Sequence, residues 1–96
     1  MKIGLGADHG GYKLKQLIKE HLEKNGYEVV DYGTNSSDSV DYPDYGKKVA
    51  QAVIDREVEK GIVCCGTGIG ISLAANKVKG IRCANVSDTF SAKMSR

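Results

Sequence analysis

Four times along this chain a short run of small and β-branched residues gives way to a longer stretch of helical period. KIGLGA (2–7) is an apolar and glycine run ending at Asp8, which reads as a buried strand. From Tyr12 the period becomes 3.6, with Leu14, Leu17, Ile18 and Leu22 on one face and Asn25-Gly26 as the stop. In that reading His21, between Leu17 and Leu22, is a partly buried packing residue. EVVDYG (28–33) is a second strand. The polar loop 34–43 ends at the only proline, Pro43, in the first turn of a helix marked by Val49, Ala50, Val53 and Ile54. GIVCCG (61–66) is a third strand, followed by an apolar stripe at Ile71, Ala74, Ala75 and Val78 that Gly80 stops. IRCANV (81–86) is a fourth strand. Ser87 or Asp88 caps a last segment in which Phe90 and Met94 lie four apart.

Strand and helix in strict alternation, joined mostly by short connections, predict parallel strands with helices on both faces. The expected fold is therefore α/β: a three-layer α/β/α sandwich with a parallel sheet, Rossmann-like, in the strand order 2-1-3-4. At 96 residues the chain is one domain, 1–96, with a core thin enough to favour association with a second copy. A net charge of +2, with basic and acidic residues interspersed, gives no footprint for nucleic acid or a membrane surface. The start lacks a signal-peptide pattern and no apolar run reaches membrane-spanning length, so a cytoplasmic protein is expected. Cys64, Cys65 and Cys83 make no disulfide framework in that compartment.

Ligands of such folds bind beyond the carboxyl ends of the strands, where neighbouring strands send their chains to opposite sides. In the order 2-1-3-4 that place lies between strands one and three, which end in ADHGG and CCGTGIG. Three chemistries compete for the second of these turns. A nucleotide loop fits poorly. The Lys-Ser/Thr of a phosphate loop is absent, Gly66, Gly68 and Gly70 are misspaced for a dinucleotide, and only Asp88 stands where a ribose-binding acid could be. A metal site fits no better, because adjacent cysteines with histidines only at 9 and 21 make a poor tetrahedral set. Neither of these readings goes far.

The third chemistry is an anion cradle with a thiol at its edge. Successive strand residues point to opposite faces, so Cys64 packs under a helix and Cys65 projects toward the crevice. Beside a helix N-terminus such a thiol is expected to ionise more readily. Asp8 and His9 on the facing turn add a carboxylate for hydroxyls and an imidazole for an anionic group. Separately, a core cysteine, a helix cap and an exposed turn histidine would each suffice as explanations; together they compose a site.

ADHGGYKLK, VVDYGT, DYPDYG and the run CCGTGIGISLAANKVKGIRCA resemble ribose-5-phosphate isomerase of type B, in a family that includes the galactose-6-phosphate isomerase subunits. The resemblance runs through essentially the whole chain in one register. It implies interconversion of an aldose phosphate and its ketose, without a metal or organic cofactor, through an enediolate. It implies Cys65 as the base and Thr67 beside the reacting carbons. Gly66, Thr67, Gly68, Ile69 and Gly70 would form the loop that holds the enediolate oxygen. Asp8 and His9 would contact the sugar and phosphate, and Tyr42 would line the pocket. It also implies a homodimer, or a tetramer. Relative to the family pattern the chain lacks a C-terminal part: a fifth strand, a ring-opening histidine, an asparagine, and phosphate-clamping arginines reaching from the partner, whose positions Arg82 and Arg96 do not match. The substrate expected is ribose 5-phosphate. The alternatives are a galactose-6-phosphate isomerase subunit and a phosphosugar-binding fragment without turnover.

Overall fold

The computed structural model describes residues 1–33, 42–65, 69–86 and 89–95, without the side chains of 42–44 and 69. Strand β1 (Lys2–Ala7) leads through a short 3-10 turn (His9–Gly11) into helix α1 (Tyr12–Lys24). Strand β2 (Glu28–Asp31), helix α2 (Tyr42–Ile54), strand β3 (Lys60–Cys64), helix α3 (Ile69–Asn76) and helix α4 (Thr89–Met94) follow. The three strands form one parallel sheet in the order β2-β1-β3. Among the described residues no helix is long and apolar enough to cross a membrane.

The order of the sheet fixes the layers. The chain moves from β1 outward to β2, then back across β1 to β3. Right-handed crossovers therefore put α1 on one face and α2 on the other. Glycines let α2 approach closely. A Cβ on Gly6 or on Gly61 would come within 2.6 or 2.5 Å of the Val49 methyls. Gly6 thus faces α2, and Gly4 turns to the same side against Tyr32 and Val58, while Ile3, Leu5 and Ala7 face the other way by strand alternation. All three of these apolar residues are buried, with Val49, Ala50, Ala52, Ile71, Ala74 and Ala75 completing the core from the helices. Helices α2 and α3 also pack tightly, since a Cβ on Gly46 would meet the Ile71 carbonyl at 2.9 Å.

Three expectations change. The inner stripe of α1 is Gly11, Lys15, Ile18 and Leu22, whereas Leu14 and Leu17 are more than half exposed. The helix has rotated toward Lys15 because that ammonium, fully buried, forms an ion pair with Asp31 at 2.8 Å. The same rotation leaves His21 exposed rather than packed. The segment 81–86 does not join the sheet as a fourth strand. Asn76 Oδ1 accepts from Cys83 N at 2.7 Å, and Asn76 Nδ2 donates to Cys83 O at 2.9 Å. A side-chain amide offers the donor and acceptor that a neighbouring strand would offer, so these two backbone groups of Cys83 are already engaged. On α4, Phe90 and Met94 are 72% and 70% exposed.

Candidate active site

Parallel pairing brings the ADHGG turn onto the end of β3. Ala7 is the register partner of Cys64, and the ladder continues one step further as Asp8 N donates to Cys64 O at 3.1 Å. Asp8 is in extended conformation, so the alternation that turns Gly6 toward α2 carries through to Asp8. On β3 it turns Gly61 toward α2, and continued by two residues at a time it carries through to Cys65.

Asp8 caps the turn that follows it. Its Oδ1 accepts from Gly10 N at 2.8 Å and from Gly11 N at 3.0 Å, which fixes the carboxylate while leaving only 8% of the residue exposed. Both bonds are of the charge-assisted kind, stronger than neutral ones. His9, between the cap and the glycines, is exposed. Gly11 seats the turn directly on the end of β3, because a Cβ there would lie 2.3 Å from the Cys64 carbonyl carbon and oxygen.

The two adjacent thiols have separate surroundings. Cys64 is buried beneath the 3-10 turn, 5% exposed. Burial, reinforced by the neighbouring Cys65 and opposed by the Lys15 cation, pushes its thiol up to about 11. A neutral packing group results, as the alternation predicts. Cys65 is half-buried and is among the residues lining a groove of 1090 Å³ along β3, beside Ile81–Val86. Asp8 and His9 do not line that groove.

Of the other expected site residues, Gly70 is half-buried in the first turn of α3, and Ile69 begins that helix. Tyr42 opens α2, its side chain outside the described residues, as is that of Ile69. Gly66, Thr67 and Gly68, and the capping pair Ser87 and Asp88, also lie outside the described residues. No group of three or more His, Cys, Asp or Glu that could hold a metal ion occurs among the described residues.

Sequence reasoning missed the residues that brace the Asp8 turn from the far side. Lys15 Nζ donates to Asp31 Oδ1 at 2.8 Å and Oδ2 at 2.9 Å. Asp31 Oδ1 also accepts from Gly33 N at 2.9 Å, and Gly33 O accepts from Ala7 N at 2.7 Å. A lysine four residues after a buried glycine and three before Ile18 was the available signal, since that spacing puts it on the inner face.

A family pattern described as Ribose/Galactose Isomerase matches residues 3–96. Ribose-5-phosphate isomerase B of Escherichia coli (strain K12) is 53% identical over 95 residues, covering 99% of this chain and 64% of its own length. The solved ribose-5-phosphate isomerase B of Clostridium thermocellum is 60% identical with a TM-score of 0.98, over 100% of this chain and 65% of that one. That of Thermotoga maritima is 46% identical with a TM-score of 0.95, over 99% and 66%. The chain thus spans about two thirds of the length of these relatives.

Proposed function

Because the chain belongs to the ribose/galactose isomerase family, we propose that it is the part of a sugar-phosphate isomerase that carries the proton-transfer site, with ribose 5-phosphate and ribulose 5-phosphate as the pair interconverted. The observation that carries this reading is the backbone bond from Asp8 to Cys64, which holds the ADHGG turn against the strand end bearing Cys65. A second copy of the chain and a sugar phosphate are the partners that go with it.

The chemistry begins from the open-chain aldose, with its aldehyde at C1 and a proton on C2 made acidic by the adjacent carbonyl. Cys65, as thiolate, takes that proton: the C2–H bond breaks, an S–H bond forms, and negative charge moves onto O1. The same sulfur returns the proton to C1 while the hydroxyl proton passes from O2 to O1, leaving the ketone at C2. No atom is lost and no external electron acceptor is needed. The difficult species is the enediolate, so donors aimed at its oxygen matter most, each worth roughly 3–4 kcal/mol in comparable sites. Residues 66–70, with Thr67 among them, are assigned to that task. Asp8, oriented by its two glycine amides, is assigned to sugar hydroxyls; His9, exposed beside it, to the phosphate; Tyr42 to the pocket wall.

The test is exchange and turnover measured together. The chain and its Cys65→Ala variant are incubated with ribose 5-phosphate in heavy water, following loss of the C2 proton signal and formation of ribulose 5-phosphate. The proposal expects both in the parent and neither in the variant. Exchange that persists unchanged in Cys65→Ala removes Cys65 as the base. Galactose 6-phosphate run in parallel decides between the two substrate classes in the family's description.

A further inference from the structure

The Lys15–Asp31 pair has no part in the proton transfer, yet it is the one fully buried cation among the described residues and stands one turn from the site. Its bonds form a closed circuit. From Lys15 Nζ they pass to Asp31, from Asp31 Oδ1 to Gly33 N, and from Gly33 O to Ala7 N. Ala7 is covalently joined to Asp8, whose carboxylate holds Gly11, and Gly11 lies one helical turn before Lys15 on the same face of α1. Helix α1, the end of β2 and the end of β1 are locked to one another by this ring.

Each link is placed to transmit displacement. Gly33 has φ 111°, and its Cα faces the Tyr45 ring, where a Cβ would come within 2.5 Å. It cannot move closer to α2, and its N–H is held by the Asp31 carboxylate while its carbonyl holds Ala7 N. A buried ion pair is a poor device for stability, because desolvation offsets most of its attraction, but it is directional. We infer that Lys15 and Asp31 are positioning residues that hold the Asp8–His9 turn in register with Cys65, acting through Gly33 and Ala7 without touching the sugar phosphate. The functional half of this inference rests on the isomerase reading above; the structural half does not.

Hydrogen exchange resolved by residue, on the ligand-free protein, separates positioning from general stabilisation. In Asp31→Asn the amides of Ala7, Gly10 and Gly11 are expected to exchange about tenfold faster, while those of Val49–Val53 in α2 keep their rates. Uniform acceleration across the chain would assign the pair a structural role only and overturn the inference, as would unchanged Gly10 and Gly11. The double variant Lys15→Met/Asp31→Leu replaces the pair by apolar groups of similar length, which commonly preserves folding. It is expected to show the same local acceleration even if Asp31→Asn unfolds. Turnover gives the second readout: KM for ribose 5-phosphate rises about tenfold with kcat lowered less, because the displaced groups bind the sugar and not the moving proton. Lys15→Arg, which keeps the cation, recovers part of that loss. No turnover in the unmodified chain would count against the isomerase reading alone, since the exchange pattern is read without substrate.

Discussion

Replacing Gly11 by alanine tests the contact that assembles the site. The backbone there, φ −103° and ψ 3°, is open to an L-residue, so the substitution introduces no conformational strain. The whole effect is steric. The new methyl would sit 2.3 Å from the carbonyl carbon and oxygen of Cys64 and 2.7 Å from its Cβ. Carbon atoms pack at roughly 3.5–4.0 Å, so a shift of more than about 1 Å is required, and the obstacle is strand backbone instead of a side chain that could rotate away. Overpacking of this kind costs about 1–3 kcal/mol, and the rigidity of β3 argues for the upper half of that range. For a domain of this size each kcal/mol lowers Tm by roughly 4–8 °C, so a loss of about 10–20 °C is expected in thermal unfolding followed by circular dichroism. The displaced turn carries Asp8 and His9 with it. On the proposed isomerase reading, a misplacement near 1 Å can cost about a hundredfold in rate, which the ribulose 5-phosphate assay would read below the new Tm. If Gly11→Ala melts within a few degrees of the parent and binds ribose 5-phosphate equally well, the turn is not seated on β3 as described.

Gly26→Ala is the control with the opposite cause: nothing lies within 4 Å of its Cβ, but φ is 84°, so the cost is the roughly 1–2 kcal/mol of a left-handed L-residue, with exchange of the Gly10 and Gly11 amides unchanged. Cys64 predicts an alkaline dependence. Its thiol titrates near 11 in the fold against 9.0 for the ordinary group, so above pH 9 the unfolded chain binds fewer protons and stability falls until about pH 11. Urea unfolding of the parent and of Cys64→Ala at pH 8 and pH 10.5 should show the parent losing more stability; equal losses would refute the burial of that thiol. Asn76→Ala removes both bonds to Cys83 and should cost about 1–2 kcal/mol while speeding exchange of the Cys83 amide. An unchanged Cys83 rate would mean that some other group holds 81–86.

The elements that periodicity identified well are those whose contacts are generic. β1 and β3 are runs of small and β-branched residues, α2 carries Val49, Ala50 and Val53 inward though Ile54, the fourth of the expected stripe, is 40% exposed, and the chain order of strands and helices dictates a parallel sheet. The separation of Cys64 from Cys65 was equally legible, because alternation along a strand is a property of the backbone. Elements that depended on a particular partner were not. An apolar scan of α1 selects Leu14 and Leu17, yet the inner position belongs to Lys15, whose burial is intelligible only once Asp31 is beside it. IRCANV has strand composition, but a strand is a relation between two segments, and Asn76 reached Cys83 first.

From residue order alone came the alternation, the layers and the glycines that let backbones meet. Folding in three dimensions chose which of those residues touch: Gly11 on Cys64, Asp8 on its own turn, Lys15 on a carboxylate sixteen positions away. Local pattern reports the period of a side chain along one element. The identity of its neighbour is set by crossovers that bring distant segments together, and the energy of a buried charge depends on that neighbour.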